Sequence, residues 1–369
     1  MAIPLVNLKA QNLALKDEIA AAVLGVLDSG QFILGPNVSA LEEEVAPICQ
    51  AEFGVTVNSG TDAIVIAFAA CGIGSGDEVI TTPFTFVATT EAIMIVGAKP
   101  VYVDIEADTF NLDPNKIEEK ITDKTKAILP VHLYGQCADI ERIESIARKH
   151  GLKLVSDGAQ AIGAKHKGKG IGAYGDAATL SFYPTKNLGG CGDGGMVLTD
   201  SEETAKIAKS LRSHGTDSTY SYERVGYCSR MDELQAAVLR VKLAKISEWN
   251  ESRRSNAAVY VQHLSDLPLK LPISRPENYH VYHQFTVRFE RRDELKAKLA
   301  EREIGSAIFY PSPLHLQRAY ANLGYKPGDL PDAEKASAEV LSLPIFPELT
   351  HKELIQVAAA VREAVMELA

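Results

Sequence analysis

The chain has 369 residues, of which 46% are hydrophobic and 23% are charged. This balance is typical of globular proteins and excludes long disordered regions. The formal net charge of −10 at pH 7, with no basic block, excludes a general binder of nucleic acid or of anionic membranes. The length exceeds one typical core, so we predict a large domain at 1–245 and a smaller one at 246–369.

The cysteines are odd in number and form no C-x-x-C pair; they are Cys49, Cys71, Cys137, Cys191 and Cys228. This pattern favours reduced thiols in a cytoplasmic protein and argues against a metal site. The N-terminal segment lacks the apolar stretch of a signal peptide. No apolar run reaches the roughly 18–20 residues that cross a membrane, so we predict no membrane contact.

Helix-like and strand-like segments alternate along the first part of the chain. Apolar residues recur at helical spacing in 16–30, 60–79 and 139–151, and the second of these ends in a glycine-rich turn. Short apolar or β-branched runs, typical of buried strands, occupy 77–83, 99–105, 126–132 and 152–157. Strands and helices in this alternation predict right-handed crossovers and a mostly parallel sheet.

A long helical pattern over 230–264 leads out of the predicted large domain. Beyond it, 282–289 is typical of a strand and 292–303 of a helix. These segments predict that 246–369 forms a smaller α/β domain.

The turn Ser59-Gly60-Thr61 opens the predicted helix that begins near residue 60. Free backbone N–H groups and the positive end of the helix dipole suit a phosphate at such a turn. Many helices begin this way without a ligand, so the motif is weak by itself.

Asp157 ends the strand-like run 152–157. Ligands of open α/β sheets bind outside the carboxyl ends of the strands. An aspartate here is either an ordinary helix cap or a buried carboxylate that faces a cationic partner. The residue type alone does not choose between these two roles.

Lys186 lies in SFYPTKNLGGCGDGG (181–195), between a strand-like run and a glycine cluster. Glycines let the backbone pass close to another group. A lone lysine is usually a solvated surface charge, so its neighbours carry the argument. Together, the turn, Asp157 and Lys186 supply what pyridoxal phosphate requires: a phosphate site, a carboxylate for the ring nitrogen and an amine for the aldehyde.

The sequence resembles the sugar aminotransferase family named DegT/DnrJ/EryC1/StrS through nearly its whole length. The segments that carry the resemblance are NSGTDAI, TTPFTFVATTEAI, VHLYGQ, SDGAQAIGA, SFYPTKNLGGCGDGG, SRMDELQAA, FYPSPLHLQRAY and LSLPIFP. The resemblance implies the α/β fold called PLP fold type I, with pyridoxal phosphate as cofactor. It also implies a homodimer whose active sites lie between the subunits.

The resemblance assigns roles to individual residues. Lys186 matches the lysine that forms the Schiff base, and Asp157 matches the partner of the pyridinium nitrogen. The remaining cofactor contacts that it implies are Gly60, Thr61 and Ser181 at the phosphate and Phe86 and Gln160 at the ring. The residues that it implies on the substrate side are Tyr183, Tyr310 and His315.

One position departs from the family pattern. Relatives commonly have G-x-N-S-R, in which the asparagine reaches the phosphate of the partner subunit's cofactor. This chain has Gly226-Tyr227-Cys228-Ser229-Arg230, and a thiol is a weak hydrogen-bond donor. We expect the cofactor to bind nevertheless, through the turn at residues 60–61 and Lys186.

The resemblance also implies the reactants. We expect an amino group to move from L-glutamate to a dTDP-linked 3-keto-6-deoxyhexose, for a surface polysaccharide or a glycosylated metabolite. A UDP-linked 3-keto hexuronic acid or a 4-keto sugar is the alternative. Arg212, His214 and Arg230 lie near motifs that face the sugar diphosphate, without an assigned role.

Three other functions compete with an aminotransferase. A sugar dehydratase of the same fold has histidine where this chain has Lys186. A DNA-binding regulator needs a basic recognition helix, and the sequence shows none. A catalytically silent scaffold has no use for Asp157, Gln160 and Lys186 together.

Overall fold

The computed structural model of the protein describes residues 2–218 and 220–368. The helices are α1 (Leu8–Ala14), α2 (Lys16–Ser29), α3 (Pro36–Val45), α4 (Gly60–Ala70), α5 (Val87–Ile95), α6 (Ile140–His150), α7 (Glu202–Leu211), α8 (Glu233–Leu243), α9 (Ile246–Leu264), α10 (Arg292–Glu301), α11 (Pro331–Glu339) and α12 (His351–Leu368). The strands are β1 (Phe53–Val57), β2 (Glu78–Thr81), β3 (Lys99–Tyr102), β4 (Thr125–Leu129), β5 (Lys153–Asp157), β6 (Lys165–His166), β7 (Lys169–Gly170), β8 (Ala177–Ser181), β9 (Gly195–Thr199), β10 (Thr216–Ser218), β11 (Ser221–Tyr222), β12 (Asn278–Tyr279), β13 (Phe285–Arg288) and β14 (Val340–Leu343).

A seven-stranded sheet organises the molecule, with the strand order β1-β9-β8-β5-β4-β2-β3. Within this sheet β9 runs antiparallel to both of its neighbours, and the remaining pairs are parallel. Helices α4, α5 and α7 pack on one face and α6 on the other. The predicted α/β fold with a mostly parallel sheet is therefore confirmed.

Helix α6 shows how the sequence determines one of these layers. Ile140, Ile143 and Ile146 recur on one side of the helix and are buried against the sheet. Burying an isoleucine side chain stabilises a fold by about 1.5–3 kcal/mol. The helix ends at Gly151, whose φ of 63° suits a residue without a Cβ. The predicted helix at 139–151 therefore agrees with the structure.

The long helical pattern predicted over 230–264 is two helices in the structure, α8 and α9. The chain turns between them, where the amide of Lys245 donates to the carbonyl of Lys242 at 2.9 Å. Apolar residues of α8 pack in the large core beneath the sheet, whereas those in the second half of α9 pack in a separate core. A single straight helix could not pack its first half in one of these cores and its second half in the other.

The separate core is formed by α9, α10, α12, β13 and β14. Ile3 packs in this core as well, and it pairs with Ile304. Another cluster joins Phe84 and Tyr102 to Leu314 and Ala333, so apolar packing crosses residue 245. The division into domains at 1–245 and 246–369 stays a prediction. Ile3, which belongs to the first of these ranges, contacts residues of the second.

Within residues 2–218 and 220–368, none of the helices has the length and apolar character needed to cross a lipid bilayer.

Candidate active site

A cavity of about 620 Å³ lies beside the ends of β5 and β8. Asp157 and Ser181 are the last residues of these two strands, and both line the cavity. The other predicted site residues that line it are Gly60, Thr61, Phe86, Gln160, Tyr183, Lys186 and Tyr310. The fold therefore brings together all the predicted site residues except His315.

Lys186 projects from the connection between β8 and β9. The amide of Phe182 donates to the carbonyl of Gly194 at 2.8 Å, and the amide of Gly190 donates to Phe182 at 2.8 Å. These bonds close the connection into a compact loop around the lysine. Gly189 is needed there because a Cβ at this position would lie 2.2 Å from the carbonyl oxygen of Pro184.

The Lys186 amine is tuned by two opposing effects. Loss of solvent lowers its pKa from the ordinary 10.5 to about 8, while the negative charge of Asp157 acts in the raising direction. No hydrogen bond joins this amine to another of the described residues. Because its pKa lies near neutrality, the side chain has an appreciable neutral fraction at physiological pH and can take up a proton.

Asp157 is buried and held by two donors. The hydroxyl of Thr89 donates to Oδ2 at 2.8 Å, and the amide of Ala159 donates to Oδ1 at 3.0 Å. Thr85 lies 2.9 Å from the Thr89 hydroxyl. Since Thr89 gives its only proton to the carboxylate, Thr85 must be the donor between the two hydroxyls. The carboxylate keeps accepting capacity on both oxygens for a group in the cavity.

The turn at the start of α4 is arranged for an anion. The Ser59 hydroxyl accepts from the amide of Asp62 at 3.1 Å, which caps the helix and leaves the Gly60 and Thr61 amides without an intrahelical partner. A Cβ at residue 60 would lie 2.6 Å from Cβ of Ser181. Glycine therefore lets the helix start approach Ser181 closely.

Gln160 has a fixed orientation beside Asp157. Its Oε1 accepts from the amide of Tyr134 at 2.6 Å, so its NH₂ group faces Tyr310 and donates to the phenol oxygen at 3.3 Å. Burial and the charge of Asp157 raise the pKa of Tyr310. The Tyr310 hydroxyl therefore stays protonated and is available as a donor to a ligand.

Phe86 and Tyr183 form exposed walls of the cavity, with 56% and 53% of their surfaces accessible. The centre of the Phe86 ring lies 6.4 Å from that of Tyr310. Large apolar side chains this exposed are suited to covering a bound ring rather than to packing in the core.

His315 lies outside the cavity. Its side chain is fully buried, its Nε2 lies 3.1 Å from Oε1 of Glu334, and its ring makes an edge contact with Tyr325. The histidine therefore makes its contacts in this cluster rather than in the cavity, and its substrate-side role stays a prediction.

Arg212 is also committed elsewhere. Its guanidinium forms a buried ion pair with Glu42 and donates to the carbonyl of Thr56 at 2.8 Å. Arg230 instead donates to the sulfur of Cys228 at 3.0 Å on the exposed side of the chain. His214 occupies a turn with a φ of 64°, and its amide donates to Tyr227. None of these three residues lines the cavity described above.

The segment around Cys228 is tied to the phosphate turn through its neighbour. The buried Ser229 hydroxyl donates to Oδ1 of Asn58 at 3.1 Å, directly before the Ser59 cap. This bond commits Ser229 within its own chain. Ser229 is therefore poorly placed to substitute for the asparagine that relatives extend to a partner.

Several residues of the site were not identified from the sequence. They are Thr85, Thr89, Asn187, His283 and Gln284. The two threonines lie in the TTPFTFVATT segment, and Asn187 directly follows Lys186. These three residues therefore lie in segments that already carried the family resemblance. The adjacent pair His283-Gln284 lies in the run that predicted a strand, which gave no reason to place it near Lys186.

The arrangement fits pyridoxal phosphate. The turn at Gly60 offers unpaired amides to a phosphate in a space that a Cβ would obstruct. Asp157 offers a buried carboxylate to a ring nitrogen, and Lys186 offers a desolvated amine to an aldehyde. These are the residues that would hold the cofactor.

Comparison with curated proteins gives full-length relatives. A pleiotropic regulatory protein of Geobacillus stearothermophilus is 49% identical, over 98% of each chain. A dTDP-3-amino-3,4,6-trideoxy-alpha-D-glucose transaminase of Streptomyces venezuelae is 46% identical, over 98% of this chain and 96% of the relative. A UDP-N-acetyl-3-dehydro-alpha-D-glucosamine 3-aminotransferase of Acidithiobacillus ferrooxidans is 45% identical, over 98% and 97%.

The fold has a close counterpart among solved structures. The crystal structure of S. venezuelae DesV in complex with a ketimine intermediate superposes with a TM-score of 0.97 at 46% identity, covering 98% of each chain. The sequence profile of the DegT/DnrJ/EryC1/StrS aminotransferase family matches residues 13–362. This match favours neither a DNA-binding regulator nor a silent scaffold. The chain belongs to the DegT/DnrJ/EryC1/StrS aminotransferase family and is an aminotransferase that depends on pyridoxal phosphate.

Proposed function

We propose that this enzyme transfers the amino group of L-glutamate to the keto carbon of a nucleotide-linked sugar, with Lys186 as the reacting amine. One observation carries the proposal: a single cavity holds the desolvated Lys186, the buried Asp157 and the open helix start at Gly60. When bound, pyridoxal phosphate supplies an aldehyde that takes the amino group and a ring that withdraws electrons from the adjacent carbon.

Each residue then has a defined task. The amides of Gly60 and Thr61 and the Ser181 hydroxyl would hold the phosphate. Asp157 would hold a proton at the ring nitrogen, because a buried carboxylate stabilises a cationic partner. Thr89 in turn orients that carboxylate by donating to Oδ2 at 2.8 Å.

The remaining cavity residues enclose the ring and the substrate. Phe86 would cover one face of the ring, and Gln160 would contact it. Tyr183 and Tyr310, which line the same cavity, would contact the sugar.

Lys186 moves the proton. Its amine, with a pKa lowered to about 8, would take a proton from the α-carbon of the amino donor and deliver it to the cofactor carbon that receives the nitrogen. In the second half of the reaction the same amine would move a proton from that carbon to the keto carbon of the sugar. Loss of solvent around the amine favours the neutral form that performs the first transfer. One site thus serves donor and acceptor in turn, so ping-pong kinetics are expected.

For the sugar we propose a dTDP-linked 3-keto-6-deoxyhexose. The TKNLG and GDGG segments and the 46% identity to a dTDP-3-amino-trideoxyglucose transaminase support this choice. A UDP-linked 3-keto sugar is the second candidate, supported by a relative that aminates such a substrate at 45% identity.

We also propose a cytoplasmic homodimer. Exposed apolar side chains cluster along the chain at Leu24, Leu27, Phe32 and Ile33, each 45–57% accessible, as expected of a surface that a second copy covers. The cysteines of the chain are free thiols, which supports a reducing compartment.

A substrate panel tests the proposed function. The purified enzyme would receive L-glutamate with dTDP- and UDP-linked sugars that carry a keto group at C3 or C4, and NMR would identify each product. Amination of a dTDP-linked 3-keto sugar with ping-pong kinetics is the expected result. Activity confined to 4-keto sugars, or sequential kinetics, would overturn the corresponding part of the proposal.

A further inference from the structure

His283 lies just before β13 and lines the same cavity as Lys186. It is buried, and neither cofactor anchoring nor sugar binding has assigned it a task. A buried imidazole beside a reacting amine is either a donor or an acceptor toward that amine. Its tautomer decides which.

A chain of hydrogen bonds fixes that tautomer. The NH₂ group of Asn250 donates to the carbonyl of Ile162 at 3.0 Å, so Oδ1 of Asn250 is the atom that accepts from Asn187 at 2.8 Å. The NH₂ group of Asn187 also donates to the carbonyl of Val281 at 3.2 Å. Oδ1 of Asn187 therefore faces His283.

The orientation of Asn187 determines which nitrogen of the His283 ring carries the proton. Nδ1 of His283 lies 3.1 Å from Oδ1 of Asn187, and an amide oxygen only accepts, so Nδ1 carries the proton. In the neutral ring Nε2 is then an acceptor. The NH₂ group of Gln284 approaches it at a long 3.4 Å, which leaves the lone pair open to a stronger donor.

The ring is held neutral by its surroundings. Burial, followed by the positive charges of Lys186 and Arg253, lowers the pKa of His283 well below its ordinary value. Arg253 itself is fixed by donating to the carbonyls of Tyr282, His283 and Ile345. At neutral pH, Nε2 therefore remains an acceptor.

Lys186 needs such an acceptor when its amine is free. Asp157 already accepts from Thr89 and Ala159, and the proposed function assigns its remaining accepting capacity to the ring nitrogen of the cofactor. A second carboxylate near the amine would also raise its proton affinity, which burial has lowered. A neutral acceptor can orient one N–H of the amine while affecting its basicity much less.

We propose that His283 is a positioning residue for Lys186. The two side chains line one cavity without a hydrogen bond between them in this structure, and rotation of the lysine brings an N–H of the free amine to Nε2, which directs the amine's lone pair toward the reacting carbon. The inference rests on the proposed role of Lys186 as the reacting amine. It extends that role to a network that reaches α9, through Asn187 and Asn250.

Other titratable groups face the pair. Asp157, Asp193 and Tyr310 line the same cavity, and the positive charge of Arg253, on α9, acts on His283. Each of them remains in place when only His283 is changed. A comparison between two variants of His283 therefore holds these charges constant.

Two isosteric variants separate the two nitrogens. His283→Asn places an amide NH₂ near Nδ1, which keeps the bond to Asn187 and removes the acceptor at Nε2. His283→Gln places an amide near Nε2, which keeps an acceptor there and loses the bond to Asn187. Acceptor function predicts that the Asn variant is the worse enzyme, whereas a purely structural role predicts the reverse.

Two measurements follow for these variants. In the donor half-reaction, kcat of His283→Asn should fall about tenfold, the effect of one lost hydrogen bond of typical strength, with KM for glutamate nearly unchanged. His283→Gln should recover most of this loss. In the full-length protein before cofactor is added, the apparent pKa of Lys186, from peptide-resolved amine labelling, should fall by about half to one unit in His283→Asn only.

A third measurement needs no variant. Nitrogen-15 NMR of the histidine-labelled full chain should show His283 protonated at Nδ1 and bare at Nε2. The opposite tautomer, a protonated ring, or a Gln variant worse than the Asn variant would overturn the inference. A failed Lys186 assignment is distinguishable, because Lys186→Ala would then remain active whatever the His283 variants do.

Discussion

The Thr89 hydroxyl donates to Oδ2 of Asp157 at 2.8 Å, which ties the start of α5 to the end of β5 at the floor of the cavity. The threonine satisfies one oxygen of a buried carboxylate whose other oxygen accepts from the amide of Ala159. Orientation of Asp157 toward a ring nitrogen therefore depends on a residue that contacts neither cofactor nor substrate in the proposed mechanism.

Removing the Thr89 hydroxyl should lower the activity of the enzyme without unfolding it. Thr89→Val keeps the shape of the side chain and deletes the bond to Asp157, which costs about 1.5–3 kcal/mol for a bond to a charged group. We expect kcat to fall about tenfold or more on this basis. Thr89→Ser retains the hydroxyl and is the control; equal losses in both variants would show that packing, rather than the bond, is what matters.

Gly60 should be intolerant of even a methyl group. Gly60→Ala would bring Cβ to 2.6 Å from Cβ of Ser181, so the helix start must move from the phosphate position. Crowding of this kind costs about 1–3 kcal/mol, and we expect cofactor affinity, measured by absorbance titration, to fall about 10- to 100-fold. Gly74→Ala is the matched control, because the nearest atom to a Cβ there, the carbonyl oxygen of Val96, lies at an ordinary contact distance of 3.7 Å. Unchanged affinity in Gly60→Ala would remove this turn from the phosphate site.

Lys186 should titrate near pH 8 before cofactor is added, since burial lowers its pKa from 10.5. Asp157 acts in the opposite direction, so Asp157→Asn should lower the apparent pKa further. Because the folded-state pKa lies below the unfolded one, burial of this lysine destabilises the fold below about pH 8, and the penalty disappears as the pH rises toward 10.5. Amine labelling across this pH range, resolved by peptide, measures the titration; a midpoint near 10.5 would contradict the desolvated environment.

Arg212 should matter for stability rather than for the sugar diphosphate. Its guanidinium pairs with Glu42 at a site where both side chains are at least 90% buried. Arg212→Ala leaves the buried Glu42 with only the more distant amine of Lys209, at 4.0 Å, as a cationic partner, and such a loss costs about 3–5 kcal/mol in free energy of unfolding. Arg148→Ala, which removes a largely exposed partner of Glu144, should change the free energy by less than about 1 kcal/mol. A stable Arg212→Ala protein with a raised KM for the sugar would contradict this assignment.

The sequence predicted most of what depends on local pattern. Asp157 could be placed at the end of a strand, and Gly60 at the start of a helix, because the residue patterns that predict strands and helix caps involve only residues close together in sequence. The break between α8 and α9 was missed, since both halves have helical spacing and only their different packing partners separate them. Thr89 and His283 were missed for a related reason: Thr89 contacts Asp157 across 68 positions of the chain, and His283 shares the cavity with Lys186 across 97 positions. The motif that contains His315 did not indicate that this side chain lies outside the cavity, where its Nε2 is 3.1 Å from Oε1 of Glu334.

The central claim is that Lys186 carries the cofactor and performs the chemistry. Borohydride reduction of the enzyme loaded with pyridoxal phosphate, followed by peptide mass spectrometry, tests it directly. We predict that the peptide containing Lys186 gains the mass of the reduced cofactor, and that Lys186→Ala loses both this adduct and turnover. An adduct on a different lysine, or normal turnover by Lys186→Ala, would contradict the account.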